Sequence, residues 1–247
     1  MLPAKQILFF IMGRFTHTEM TSSKSSNPST RFMEWNSAKK TFTYYDKQLS
    51  ERVDVKLPVK FVLINEYSKV GGWDSVSDSK IVSNEVENRN TQAITVKTFD
   101  KKDASGKVLS KSRVIASGMY NEIKDAVGKA GCDFYASIYV MLEDGSIANI
   151  ALKKSALSSW INFNSLVGSR VNNQWIQVSK SIDKKTGAIN YSVPEFEIGS
   201  VFKKEEMNLV EGATQTLKAY MDEYFATSKK QEAVTPVEEA GDLELDF

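Results

Sequence analysis

Asp133 to Leu152 reads DFYASIYVMLEDGSIANIAL. Two apolar, strand-like runs, Asp133–Leu142 and Ser146–Leu152, flank the break Glu143-Asp144-Gly145. A short acidic-glycine break between such runs is a hairpin signal. The chain around it repeats the pattern. Arg31–Trp35 and Thr41–Asp46 alternate around the polar break Asn36–Lys40, which predicts another hairpin. Val59–Asn65 (VKFVLIN) is almost wholly apolar and β-branched, as a central strand should be. Gly71-Gly72 before Trp73 reads as a turn. Ile81–Glu87, Ala93–Phe99 and Val108–Val114 are further strand candidates, the last preceded by the polar connection Lys101–Lys107. Trp175–Ile182 and Ala188–Phe196 pair across Asp183–Gly187.

Elsewhere the period is helical. Met119, Ile123 and Val127 fall four apart within Gly118–Lys129, and Gly131 is placed to end that helix. Ser155–Asn164 is a short helical stretch. Val210, Ala213, Leu217, Met221 and Tyr224 mark one apolar stripe on a long helix from about Lys203 to Lys229. The expected fold is β-rich, all-β or α+β: an OB-like barrel with inserted hairpins and helices, a long C-terminal helix and a disordered acidic tail. Residues 1–30 read as a disordered N-terminal segment with a start codon at Met12 as an open alternative. Residues 31–229 read as a single domain and residues 230–247 as the tail. The apolar run Ile7–Met12 is too short to span a membrane.

Charge is divided unevenly. Gln231–Phe247 (QEAVTPVEEAGDLELDF) carries six carboxylates and no Lys or Arg. Against a formal net charge of +1 for the chain, that leaves residues 1–230 with seven excess positive charges. Cys132 stands alone, so no intramolecular disulfide can form, and with His17 the single histidine no His/Cys metal site can be assembled. A site made of carboxylates and Mg²⁺ stays open in principle. No hydrolase elbow, Walker loop or dinucleotide-binding glycine pattern occurs. The expectation is a non-enzymatic protein with no cofactor.

Four groups combine aromatic and basic residues. Arg31, Phe32, Trp35, Lys39, Lys40 and Tyr44 lie on the first hairpin. Period two sets Phe32 opposite in facing to Met33 and Trp35, and Tyr45 opposite to Phe42 and Tyr44. About half of these rings are therefore core. Trp73 follows Lys69 and the glycine pair. Lys107, Lys111 and Arg113 share parity on one predicted strand. Trp175 stands near Arg170, Asn172 and Asn173, and Lys180, Lys184 and Lys185 follow on the second hairpin. Lys and Arg neutralise phosphates, while flat rings stack on bases without reading sequence, at about 1–3 kcal/mol per base. The same residues would serve equally as hairpin packing and solvated charge.

Two features carry a family resemblance. The tail DLELDF, Asp242–Phe247, resembles the acidic, phenylalanine-terminated tips of bacterial and phage single-strand binding proteins, although the bacterial tip ends in Pro-Phe and here Asp246 precedes Phe247. The segments NPSTRFMEWNSAKKTFTYYD (Asn27–Asp46) and FVLINEYSKVGGWDSVSDSKIVSNEV (Phe61–Val86) are similar to phage-encoded OB-fold single-strand binders, with GGW and SNEV the most distinctive letters. That resemblance spans roughly residues 27–225 and does not include the tetramer-forming domain of the bacterial proteins. It implies coating of single-stranded DNA in phage replication or recombination, in the cytoplasm of a bacterial host. It also implies a tail, Asp242, Leu243, Glu244, Leu245, Asp246 and Phe247, that competes for the groove and recruits replication enzymes. The other readings are an interaction or structural protein with a docking tail, and a carboxylate-metal nuclease.

Overall fold

The computed structural model describes residues 26–75, 77–103 and 105–232, with side chains as far as residue 227. Ile7–Met12, His17 and the tail residues Asp242–Phe247 lie outside the described residues. β1 (Arg31–Asn36) and β2 (Thr41–Asp46) form the expected hairpin, extended by β3 (Glu51–Asp54). β4 (Val59–Asp74) runs far past the apolar stretch that announces it. Gly71 and Gly72 are strand residues within it, not the turn their sequence suggests. Glycine is needed there for close approach, not for chain reversal. A Cβ on Gly72 would lie 2.9 Å from both Cys132 Cα and the Gly131 carbonyl oxygen. One on Gly71 would lie 3.1 Å from the Tyr135 ring.

β5 (Ser79–Ser83) is shorter than the run Ile81–Glu87, and β6 (Ile94–Thr98) matches Ala93–Phe99 closely. The segment expected as one strand, Val108–Val114, is broken. β7 (Lys101–Lys102) and β8 (Val108–Ser110) make a separate small arm, and β9 (Val114–Gly118) returns to the main sheet beside β6. α1 (Tyr120–Lys129) buries Ile123 and Val127, and Gly131 leaves it at φ 72°. Next come β10 (Cys132–Leu142), β11 (Ile147–Lys153) and α2 (Lys154–Val167). A 3₁₀ turn over Gly168–Asn172 leads into the long hairpin β12 (Gln174–Thr186) and β13 (Ile189–Val201). α3 (Lys204–Glu232) is the long C-terminal helix.

The main sheet is mixed, in the order β3-β2-β1-β11-β10-β4-β5-β6-β9. Only β1 with β11 is parallel; the other pairings among the described residues are antiparallel. β12 pairs with the first residues of β4, and β13 with β12. The far hairpin then folds back onto the first. Trp35 Nε1 donates to the Ser192 carbonyl at 2.9 Å, the Ser192 N–H donates to Ser37 Oγ at 2.6 Å, and Ser192 Oγ donates to the Ser37 carbonyl at 2.7 Å. These bonds close a barrel-like wall around one core.

Three apolar clusters share β4 and β10. The barrel interior takes Met33, Phe42, Phe61, Ile138, Ile150 and Ile176, and α2 plugs it with Trp160 and Phe163. Trp160 is fully buried, stacks edge-on to Phe196 at 5.1 Å and donates from Nε1 to Glu66 at 2.9 Å. On the opposite face, Tyr67, Tyr139 and Met141 meet Ala213, Leu217 and Met221 of α3, the stripe read from the sequence. Val70, Ile81, Ile94 and Val96 pack under α1. Burial on both faces explains why β10 reads as a near-continuous apolar run.

Trp160→Ala removes the barrel plug and should lower stability by about 3–5 kcal/mol. Gly72→Ala forces a methyl against backbone and should cost about 1–3 kcal/mol. Denaturant unfolding measures both, and an unchanged midpoint for Gly72→Ala would contradict the close approach.

Candidate functional site

Successive strand residues face opposite sides of a sheet, so the face turned away from the barrel core is built from the alternate set. On β1, β2 and β3 that set includes Phe32, Glu34, Tyr45 and Arg52. On β11 and β10 it includes Asn149, Lys153, Asp133, Tyr135 and Ser137. Lys69, Gly71 and Trp73 of β4 and Lys80 of β5 complete it. Together they line a groove of about 680 Å³. Phe32, Tyr45 and Trp73 are each more than half exposed, at 54%, 56% and 57%. Half-buried Tyr135 forms part of the floor, its ring lying over Gly71.

Cross-strand register sets cations beside rings. Tyr45 stands opposite Arg52, Tyr135 stands between Lys153 and Lys69, and Trp73 stands opposite Lys80. Lys153 Nζ lies 5.2 Å from the Tyr135 ring centroid, within cation–π range. The groove is not strongly positive, however. Its four cations, Arg52, Lys69, Lys80 and Lys153, face three carboxylates, Glu34, Glu85 and Asp133. Glu34 pairs with Arg52 and, at 3.6 Å, with Lys153. Lys69 lies 3.4 Å from Glu85, and Asp133 pairs with Lys154 at 3.2 Å.

Beneath the rings lies a satisfied polar network. Glu85 is buried and accepts from Ser137 Oγ at 2.7 Å and Tyr139 OH at 3.0 Å. Asn149 Nδ2 donates to Ser137 Oγ at 2.8 Å. α3 forms one wall: the Glu85 N–H donates to Tyr224 OH at 2.8 Å, and Asn27 Nδ2 donates to Tyr220 OH at 3.4 Å and Tyr139 OH at 3.3 Å. Buried polar groups with every partner in place stiffen a site.

Of the residues singled out from the sequence, Phe32 and Trp73 lie in this groove. Trp35 and Tyr44 face the other way and pack against the barrel core. Arg31 sits 5.8 Å over the Tyr44 ring and pairs with Asp144. Lys39 pairs with Asp54 and Lys40 with Asp183, both at the β1–β2 turn. A second hollow there, about 560 Å³, gathers Lys40, Lys184, Lys185 and Tyr191. Lys111 and Arg113 lie in the break between β8 and β9, so the shared strand face expected for them does not form. Arg113 pairs with Asp74 at 3.0 Å. Trp175 packs edge-on to Phe202, outside the groove. The selected cations therefore do not join into one track. Tyr45, Arg52, Lys80, Tyr135 and Lys153, none of them among the residues the sequence singles out, complete the groove. Parity already separated Tyr45 from Tyr44, but nothing local brings β3, β5 and β11 to the same face.

No family model matches the chain, and no curated protein or solved structure shows a significant match to it. Among the described residues, no group of three or more His, Cys, Asp or Glu side chains is placed to hold a metal ion, and no helix is long and apolar enough to cross a membrane.

Burial raises four phenols in and behind the groove, Tyr220 of its wall among them. Tyr67 is pushed up to about 12, against a hydrogen bond from Asn65 that acts the other way. Tyr135 and Tyr139 are also raised by burial, with the nearby Glu85 carboxylate adding to it. These groups ionise later in the folded chain than in the unfolded chain, where phenols titrate near about 10. Their contribution to stability is complete below that value and is lost as pH rises toward and past the folded values. The melting temperature should therefore fall as pH climbs above about 10, with late phenolate absorbance appearing together with unfolding. All nine tyrosines ionising together in the intact fold would contradict this.

Proposed function

We propose that this groove binds single-stranded nucleic acid, with DNA the ligand implied by the sequence resemblance, and that the protein acts as a coating protein in replication or recombination. One observation carries the reading: Phe32, Tyr45, Tyr135 and Trp73 lie on one sheet face with Arg52, Lys69, Lys80 and Lys153 between them. Exposed flat rings alternating with cations are what unpaired bases and phosphates require. Stacking supplies most of the affinity in this mechanism, because three carboxylates offset the cations. A phosphate approaching Arg52 or Lys153 displaces Glu34, the carboxylate both already share.

The tail enters the same mechanism. Tyr220 and Tyr224 line the groove, so the segment beyond Glu232 departs from the helix that forms its wall. The fifteen residues 233–247 can reach at most about 50 Å when extended. That is ample for an acidic end with alternating Leu243, Leu245 and Phe247 to fold back as a competitor and, when displaced, to recruit partner enzymes.

Of the four tryptophans only Trp73 is strongly exposed. Titration with oligo-dT should quench its fluorescence, and Trp73→Phe should remove the quenching. Phe32→Ala and Trp73→Ala should each weaken binding by about 5- to 150-fold. Four groove cations limit the dependence of log affinity on log salt to a slope no steeper than about −3. Deleting Asp242–Phe247 should raise affinity at low salt. The absence of both quenching and a mobility shift would overturn the reading and favour a protein-docking role for the same rings.

A further inference from the structure

The groove-bearing face of the sheet does not end at Trp73. Trp73 stands opposite Lys80. The Phe99 N–H donates to the Lys80 carbonyl at 3.2 Å, so Phe99 stands opposite Lys80 in turn. Directly opposed residues in an antiparallel sheet project to the same side. Trp73, Lys80 and Phe99 therefore form a row of ring, cation and ring across β4, β5 and the end of β6. The neighbouring row runs Gly71, Val82, Lys97 and Val114. Phe99 is 52% exposed and Val114 59%. Lys80 and Lys97 are exposed and enter no ion pair among the described residues. This contrasts with Arg52, Lys69 and Lys153, each of which has a carboxylate partner inside the groove. The arm of β7 and β8 flanks the row, with Lys101 tied to Asp78 at 2.9 Å.

We propose that this row is a second stacking platform, continuous with the groove, on which a strand leaving Trp73 lays a further base against Phe99 and a phosphate against Lys80 and Lys97. The inference rests on the groove reading and extends it. A single exposed phenylalanine would mean little, since scattered apolar residues are common on surfaces. What distinguishes Phe99 is its registered position beyond a ring and a lysine that enters no ion pair among the described residues, all on one face. A phosphate reaches Lys80 and Lys97 without displacing a carboxylate partner among the described residues, so contact with Lys97 adds to the salt dependence of the groove. Neighbouring strands lie about 4.8 Å apart, so four steps from β2 to β4 cover about 19 Å and two more to β6 add about 10 Å. The row of rings, from Tyr45 to Phe99, is thereby roughly half as long again as the row within the groove, and the added contribution must depend on ligand length.

The test compares oligo-dT of about 4 and about 16 nucleotides, the ends of the range that single-strand-binding barrels occupy. Phe99→Ala should bind the short oligonucleotide like the parent and the long one about tenfold more weakly, with Lys97→Ser also reducing the salt slope for the long one. In a Trp73→Phe background, Phe99→Trp should show quenching by the long oligonucleotide and little by the short one. Equal loss at both lengths would overturn the platform, since it would mean a disturbance of the groove itself. Parental affinity of Phe99→Ala at both lengths, together with loss in Trp73→Ala, would overturn the platform and leave the groove standing. Parental affinity in both variants would overturn the groove reading and the platform with it, leaving Phe99 and Val114 as a surface for another protein.

Discussion

The pairing of β4 with β10 is the constraint on which the rest of the molecule depends. It runs from Gly72 opposite Cys132 to Phe61 opposite Leu142, with one bulge at Tyr139 and Val140. Both strands contribute to all three apolar clusters, so neither can shift by one residue without turning each set of side chains to the wrong face. Gly71 and Gly72 permit the pairing to continue to its end, where a side chain at Gly72 would meet the backbone of Gly131 and Cys132. Because the ladder continues, Trp73 stands on a rigid sheet and not on a loop.

The candidate site follows from where burial changes along these strands. Along β10, Ala136, Ile138, Val140 and Leu142 point into the barrel throughout. The other face is covered by α3 at Tyr139 and Met141, then opens toward Tyr135 and Asp133. The groove occupies the opening, bounded by α3 on one side. Its floor is held by Glu85, Ser137, Asn149 and Tyr139, a network whose members donate and accept among themselves. A ring such as Tyr135 is thus held over a floor of mutually hydrogen-bonded polar groups.

Charge and aromatic content do not coincide as simply as the composition implies. Arg31, Lys39, Lys40 and Arg113 are each committed to an acidic partner outside the groove. Within it, Arg52 and Lys153 share Glu34. An excess of seven positive charges over residues 1–230 describes the chain, not any one surface. Flat side chains therefore define the proposed site more sharply than its charge does, and the least compensated lysines lie toward its β5–β6 end.

The amino-acid sequence by itself determined the β-rich class, the hairpins at Asn36–Lys40 and Glu143–Gly145, and the helical stripe Ala213, Leu217 and Met221. It also marked the β12–β13 hairpin, although Asp183–Thr186 proved to be paired strand and the turn lies at Gly187 and Ala188. These are local signals, set by alternation and turn chemistry within a few residues. It also determined that Phe32 and Trp35 face opposite ways, because a pleat leaves no other choice. Only the tertiary structure decided which face lay open and which strands became neighbours. The parallel pairing of β1 with β11 sets Phe32 beside Asn149, and the run of β4 through its glycines brings Trp73 beside Lys80. Such adjacency joins residues far apart in the chain through hydrogen bonds between backbones that look alike everywhere. Side-chain patterns within one strand therefore cannot specify it.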